Sequence, residues 1–64
     1  MTKESIQVIS FMIKKLSQLK YGYREIIEGC YDMAINNYNI EEPTDLSKNQ
    51  IIDKVLEILN RRSV

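Results

Sequence analysis

The stretch IQVISFMIKKLSQLKYGYREIIEGCYDMA, residues 6–34, decides the fold of this 64-residue chain. When a heptad is started at Ile9, apolar residues fill positions a, d and e through four repeats, and Lys20 is the one exception. An apolar stripe with this spacing is typical of a helix that faces a core, and not of a strand. The stripe consists of Ile9, Leu16, Tyr23 and Cys30 at a, Met12, Leu19, Ile26 and Met33 at d, and Ile6, Ile13, Ile27 and Ala34 at e.

Gly22 leaves two interpretations of this stretch open. A glycine costs about 1 kcal/mol in a helix interior, and Gly22 can end one helix so that a second begins near Tyr23. The heptad keeps its phase through Gly22, however, and residues 20–23 include no Ser, Thr, Asp or Asn to cap a new helix. These observations favour one long helix over residues 3–38, bent or broken at Gly22. A monomeric three-helix bundle is the alternative.

The last helix, predicted over residues 47–62, has the sharpest local signal in the chain. Ser47 and Gln50 form the S-x-x-Q pattern of a capping box, and Leu46 with Ile51 matches a hydrophobic staple. Thr2 is predicted to be the N-cap of the first helix. Asparagines at 36, 37 and 39 and the proline at 43 stop the first helical region, so residues 39–46 are expected to connect the two helices.

The lengths of the two predicted helices indicate a dimer. A helix over residues 47–62 is about 24 Å long and covers residues 22–38 when it folds back. Residues 6–19 then stay bare, and a soluble monomer does not sustain an apolar surface of that size. We therefore expect a single all-α domain over residues 1–64, a helical hairpin that forms a homodimeric bundle or binds a larger protein. The predicted interface consists of Ile6, Val8, Ile9, Phe11, Met12, Ile13 and Leu16.

Two further groups of residues are candidates for contact with a partner. The formal net charge is zero, but both ends of the chain are basic and its middle is acidic. Antiparallel packing of the helices brings the basic residues together at one end, where they can contact phosphates or an acidic protein surface. This basic end consists of Lys14, Lys15, Lys20, Arg61 and Arg62. Tyr21, Tyr31 and Tyr38 fall outside the stripe and are candidate exposed aromatic residues of an interface.

Residue types that carry catalysis are scarce in this chain. It has no histidine and one cysteine, so a catalytic triad, a Cys–His dyad, a disulfide within the chain and the usual zinc sites are all excluded. Cys30 is predicted to be a buried structural thiol. We therefore expect no enzymatic activity, cofactor, metal or small-molecule substrate. No apolar run approaches the roughly 20 residues that span a bilayer, so we expect no membrane association and a location in the cytoplasm of the cell or of an infected host cell.

The function predicted from these features is that of a non-enzymatic protein–protein interaction module. Such a protein is a small regulator, adaptor or inhibitor that acts by binding a larger protein, and the many Ile, Asn and Lys residues suit a phage or mobile-element origin. Two alternatives remain. One is a small DNA-binding transcriptional regulator that uses the basic end, and the other is a structural subunit of a larger assembly.

Overall fold

Three α-helices make up the part of the chain that the structure describes, which is residues 1–19 and 23–62 with only the backbone of Arg62. The structure is a computed structural model. Helix α1 spans Lys3–Ser17, α2 spans Arg24–Asn36 and α3 spans Lys48–Arg62, and each helix packs against the other two. The fold is therefore an all-α three-helix bundle. No helix among these residues is long and apolar enough to cross a membrane.

The predicted helical hairpin with one long helix over residues 3–38 is wrong. Helix α1 ends at Ser17 and α2 begins at Arg24, so the chain folds back where the heptad pattern favoured continuity. The predicted bend at Gly22 lies outside the described residues. The predicted dimer of hairpins is corrected as well, because it rested on a bare first helix. Val8, Met12 and Leu16 are instead buried within the bundle by α2 and α3.

The helix starts follow from short-range hydrogen bonds. The Oγ1 atom of Thr2 accepts a hydrogen bond of 3.2 Å from the N–H of Ser5, which confirms Thr2 as the N-cap of α1. Before α3, the N–H of Gln50 donates to Ser47 Oγ at 3.2 Å, and the N–H of Ser47 donates to Gln50 Oε1 at 2.8 Å. The predicted capping box is therefore confirmed. Helix α2 begins after Tyr23 without a side-chain cap.

The core face of α1 is turned relative to the predicted stripe. Val8, which the heptad placed off the stripe, is fully buried, whereas Ile6, which the heptad placed on it, is about half exposed. Two helices cover α1 instead of one, and Phe11 and Ile13, on either side of the buried face, are partly buried against the core. The buried residues of α1 are Ser5, Val8, Ile9, Met12 and Leu16.

Helix α2 is also turned from its predicted orientation. Tyr23, Ile26 and Met33, which occupy predicted core positions, are exposed. The residues that α2 buries follow the i, i+3, i+4, i+7 spacing of one helix face and are Ile27, Cys30, Tyr31 and Ala34. The prediction of Cys30 as a buried thiol is confirmed. Tyr31 was predicted to be exposed, and that prediction is wrong because its side chain is only 3% exposed.

Ion pairs join one flank of α2 to α3. Lys48 Nζ lies 3.2 Å from Glu28 Oε1 and 2.9 Å from Asp32 Oδ1. Further along, Arg24 Nη1 lies 2.8 Å from Asp53 Oδ1. Because residues later in α2 pair with residues earlier in α3, the two helices are antiparallel. These pairs are partly exposed, so each contributes at most about 1 kcal/mol, but together they define which flank of α2 turns toward α3.

Asp45 ties the start of α1 to the connection before α3. Its Oδ2 accepts a 2.8 Å hydrogen bond from the N–H of Thr2, and its Oδ1 accepts bonds from Thr2 Oγ1 at 3.0 Å and from Ser5 Oγ. These bonds, the one from Ser5 foremost, lower the pKa of the Asp45 carboxyl to about 2. Helices α1 and α3 therefore start at the same end of the bundle and run in the same direction.

The Asp45 junction predicts a specific loss of stability in acid. The pKa of Asp45 is lower in the folded chain than its ordinary value of 3.8, so the junction stabilises the fold above that value. This contribution is lost as the pH falls from 3.8 toward 2, because the unfolded chain takes up the proton first. Urea unfolding of the wild type and of Asp45→Asn at a series of pH values measures it. We expect the two proteins to converge in stability at the acid end, and a constant difference would contradict the assignment.

The turned core face of α2 predicts a contrast between two substitutions on that helix. Ile27→Ala removes a fully buried side chain and should lower the free energy of unfolding by about 2–5 kcal/mol. Met33→Ala alters an exposed side chain and should change it by about 0.5 kcal/mol or less. Thermal and urea unfolding of both variants checks this contrast. Equal losses of unfolding free energy in the two variants would indicate that Met33 is buried, as the heptad predicts.

Candidate functional site

Phe11, Lys15 and Tyr38 meet at the surface where α1 passes the end of α2. The ring centroids of Phe11 and Tyr38 are 4.8 Å apart, with the rings tilted by 54°. Lys15 Nζ lies 5.7 Å from the centroid of the Phe11 ring and 5.5 Å from that of the Tyr38 ring. Both distances are within the range of a cation–π contact. We call these three residues the aromatic–lysine cluster.

Local geometry fixes the aromatic–lysine cluster in place. Phe11 and Lys15 are four residues apart and so lie on one flank of α1. Tyr38 follows the last turn of α2, where its N–H donates to the carbonyl of Met33 at 3.2 Å and Asn39 adopts a left-handed φ of 55°. Asparagine tolerates this conformation better than most residues, which explains why the chain turns there. The Tyr38 side chain is thus held by the backbone yet remains 51% exposed.

The exposed flank of α2 extends this cluster along the bundle. Ile26 and Met33 lie seven residues apart on one side of α2 and are 37% and 42% exposed. Helical spacing places them on the flank opposite Glu28 and Asp32, which pair with Lys48 of α3. That flank therefore lies on the α1 side of α2, and the backbone hydrogen bond from the Tyr38 N–H to the Met33 carbonyl places its end next to the cluster. We call this surface the α1–α2 face, and it consists of Phe11, Lys15, Ile26, Met33 and Tyr38.

The charge of the α1–α2 face is positive. No carboxylate of the described residues forms an ion pair with Lys15, whose ammonium group instead lies over the two aromatic rings. Lys14, the neighbour of Lys15, is exposed. Glu28 and Asp32 are turned to the other flank of α2 and are compensated there by Lys48. The face therefore combines apolar area with a cation that is available to an external carboxylate.

Gly29 lies between the two exposed apolar residues of α2. It is three residues after Ile26 and four before Met33, and a Cβ atom added to it meets no atom within 4 Å. Its φ is not positive either, so neither packing nor backbone conformation within the described residues requires a glycine. A glycine in this helix interior costs about 1 kcal/mol relative to alanine. The chain therefore keeps a shallow notch between two apolar side chains.

The predicted interface residues of α1 are mostly used inside the bundle. Ile6 is exposed, and Phe11 and Ile13 are partly buried against the core, Phe11 within the aromatic–lysine cluster. The remaining four residues are buried in the core of the bundle and are Val8, Ile9, Met12 and Leu16.

The predicted basic end and the predicted aromatic residues are divided among several environments. Lys15 joins the aromatic–lysine cluster, whereas Arg61 Nη2 lies 2.6 Å from Glu57 Oε1 of the same helix. The Tyr31 hydroxyl donates a 3.3 Å hydrogen bond to Glu42 Oε1, and burial is the main cause that raises the pKa of Tyr31. The remaining predicted positions lie outside the described part of the chain and are Lys20, Tyr21 and the side chain of Arg62.

The other groups that could react or bind a ligand are either buried or open to solvent. Burial raises the pKa of the Cys30 thiol, which keeps it protonated and unreactive at neutral pH. An open polar cleft lies between the first half of α1 and residues 39–41, where Lys3, Glu4 and Glu41 contribute charges of both signs. Within the described residues, no group of three or more His, Cys, Asp or Glu is placed to hold a metal ion.

Sequence reasoning missed Ile26 and Met33 as surface residues because the heptad assigned both to the core. The signal that identifies them is the second spacing on α2, in which Ile27, Tyr31 and Ala34 form an equally regular stripe one residue further on. Comparisons of the chain with protein-family models, with curated proteins and with solved structures find no match.

The notch at Gly29 predicts a stabilising substitution. Gly29→Ala should raise the free energy of unfolding by about 0.5–1 kcal/mol, because alanine restricts the unfolded chain and its Cβ finds open space. Urea unfolding followed by circular dichroism measures the change, with Lys54→Ala as a control at another exposed helical position. A loss of stability would show that the glycine has a structural role in the bundle.

Proposed function

We propose that the protein is a non-enzymatic protein–protein interaction module, a small regulator, adaptor or inhibitor that binds a larger protein through the α1–α2 face. The observation that carries the proposal is that Ile26 and Met33 are exposed on the side of α2 next to the aromatic–lysine cluster, to which the backbone bond from Tyr38 to Met33 links them. Aromatic residues and methionine are enriched at protein interfaces relative to the rest of protein surfaces. The face is thus composed like the centre of an interface.

The energetics of the face support binding to a protein. Apolar surface that a partner removes from water contributes about 25 cal/mol per Å². Tyr38 is already positioned by Phe11 and by its backbone bond to Met33, so its ordering on binding costs less conformational entropy. Met33 is unbranched and flexible, which allows its side chain to adapt to the contours of a partner.

The opposite flank of α2 offers less to a partner. There Lys48 already pairs with Glu28 and Asp32, and Arg24 pairs with Asp53. A partner that covered these groups would have to desolvate charges that are partly compensated within the chain, which costs free energy. On the α1–α2 face, Lys15 is the one charged group that a partner would have to desolvate, and a carboxylate of the partner can offset this cost.

Two other functions remain alternatives to this proposal. A DNA-binding regulator would use Lys14, Lys15 and Arg61, but Arg61 is engaged by Glu57. A structural subunit would be covered by its assembly over more surface than one face. Binding to a labelled DNA duplex, with an affinity that falls as the salt concentration rises, would favour the first alternative. Aggregation of the isolated chain, relieved by a co-expressed protein, would favour the second.

A charge placed in the centre of the face tests the proposal. Met33→Glu should leave the fold intact, because Met33 is exposed, and should weaken partner binding by about tenfold or more. The tagged wild type and Met33→Glu are used to capture proteins from the native host. Any protein captured by the wild type alone is then purified and titrated against both forms by calorimetry.

Lys54→Glu serves as the control for this experiment, because Lys54 is an exposed residue of α3 that lies away from the face. The proposal is supported when a purified protein binds the wild type and Lys54→Glu equally and binds Met33→Glu at least about tenfold more weakly. A partner that binds all three forms with equal affinity would place the binding surface elsewhere and overturn the proposal.

A further inference from the structure

We infer that the segment of the partner bound by the α1–α2 face is a single amphipathic α-helix, which crosses α2 at Gly29 and places a carboxylate beside Lys15. This inference rests on the proposed function, because it names the chemistry of the partner at the same face. Three observations carry it: the notch at Gly29, the uncompensated charge of Lys15, and the length and direction of the face.

The notch at Gly29 fits the close approach of a helix. Ile26 and Met33 project on either side of a position that has no side chain, and an added Cβ there meets nothing within 4 Å. Side chains of one helix pack into the gaps between the side chains of another, and a glycine brings the two backbones closer together. Because the bundle itself gains nothing from this glycine, the notch is explained by a second helix that occupies it.

The charge on the face selects an acidic partner. Lys15 carries the single charge among the five residues of the face, and its ammonium group lies over the rings of Phe11 and Tyr38 and forms no ion pair with a carboxylate of the described residues. Lys14 adds a second positive charge beside it. Glu25 lies at the far end of α2 from Tyr38, on the outward side of the helix. A carboxylate at the Lys15 end of the partner helix therefore complements the face, whereas a basic residue there is repelled.

The secondary structure of the described residues does not suit the common alternative to a bound helix, which is a peptide bound as a β-strand. A bound strand needs the exposed edge of a sheet, and the described residues contain helices only. From Ile26 to Asn36 the helix is roughly 15 Å long at 1.5 Å per residue, and Tyr38 extends the face just beyond its end, which corresponds to a partner helix of about 12 residues. Apolar side chains spaced at i, i+7 and i+11 on that helix would contact Ile26, Met33 and Tyr38.

A selection from a library of random linear peptides, each about 14 residues long, tests the inference on the chain itself, whatever its partner is. The library is displayed on phage and selected against the immobilised full chain. Peptides that bind the wild type are synthesised, and their affinities are measured by fluorescence anisotropy for the wild type and four variants. Gly29→Leu fills the notch, Lys15→Glu reverses the charge and Met33→Glu disrupts the face as a whole. Lys54→Glu is the matched control for both charge changes.

The inference is supported when the selected peptides share helically spaced apolar residues and an Asp or Glu, and become helical by circular dichroism on binding. Gly29→Leu and Lys15→Glu should each weaken their binding by about tenfold or more, and Lys54→Glu should change it less than about twofold. Circular dichroism of the free variants confirms that each remains helical. Leucine is a better helix former than glycine, so Gly29→Leu is expected to keep the fold.

Other outcomes separate the inference from the proposed function. Peptides that lose affinity with Met33→Glu but bind as extended chains, or are indifferent to Gly29→Leu and Lys15→Glu, would overturn the inference and leave the proposed function standing. Failure to select any peptide whose binding depends on Met33 would count against both. Tight binding of a labelled single-stranded oligonucleotide that Lys15→Glu abolishes would replace the helix with a nucleic acid.

Discussion

The structure depends on the burial of α1 from two sides. Its buried residues run from Ser5 through Val8 and Met12 to Leu16, and the partly buried Phe11 and Ile13 extend this arc on both sides. A chain of 64 residues has little apolar surface to spare, so both remaining helices must pack against this arc. The fold back between Ser17 and Arg24 satisfies that requirement, because it brings α2 to one side of α1 and leaves the other side to α3.

The same requirement determines which side of α2 reaches solvent. Helix α2 has apolar residues on two adjacent stripes, one that includes Ile27 and one that includes Ile26 and Met33. The core takes the first stripe, and the ion pairs of Lys48 with Glu28 and Asp32 fix the rotation of α2 against α3. The second stripe is then left at the surface beside α1. The α1–α2 face is thus a consequence of how α2 packs.

Features that depend on residues three or four positions apart were predictable from the sequence. The capping box of Ser47 and Gln50 and the N-cap at Thr2 are local hydrogen bonds, and both predictions are confirmed. The continuity of the first helix was not predictable, because a heptad pattern records only the spacing of apolar residues. It does not record whether the backbone between Ser17 and Tyr23 stays helical, and α2 starts without the side-chain cap that sequence reasoning looks for.

The burial of Ser5 and Tyr31 was hidden from the sequence for a different reason. Ser5 is buried although it is polar, and its hydroxyl donates to Asp45, which lies forty residues away in the chain. The hydroxyl of Tyr31 reaches Glu42 across the end of α2. In each case a distant carboxylate accepts a hydrogen bond from the buried hydroxyl, which matters because a buried polar group without a partner is destabilised by desolvation. Long-range pairing of this kind depends on the fold and cannot be read from spacing.

If the α1–α2 face binds a protein as we propose, Lys15 gives that binding its selectivity. An apolar surface alone would attract any apolar partner, including other copies of the chain, because the hydrophobic effect is not directional. The ammonium group of Lys15 changes this balance, since it is held over the rings of Phe11 and Tyr38 and has no carboxylate nearby in the described chain. A partner without a matching charge would have to desolvate that ammonium group and gain nothing in return. In the proposed interaction, such a penalty would discriminate between partners of equal apolar area.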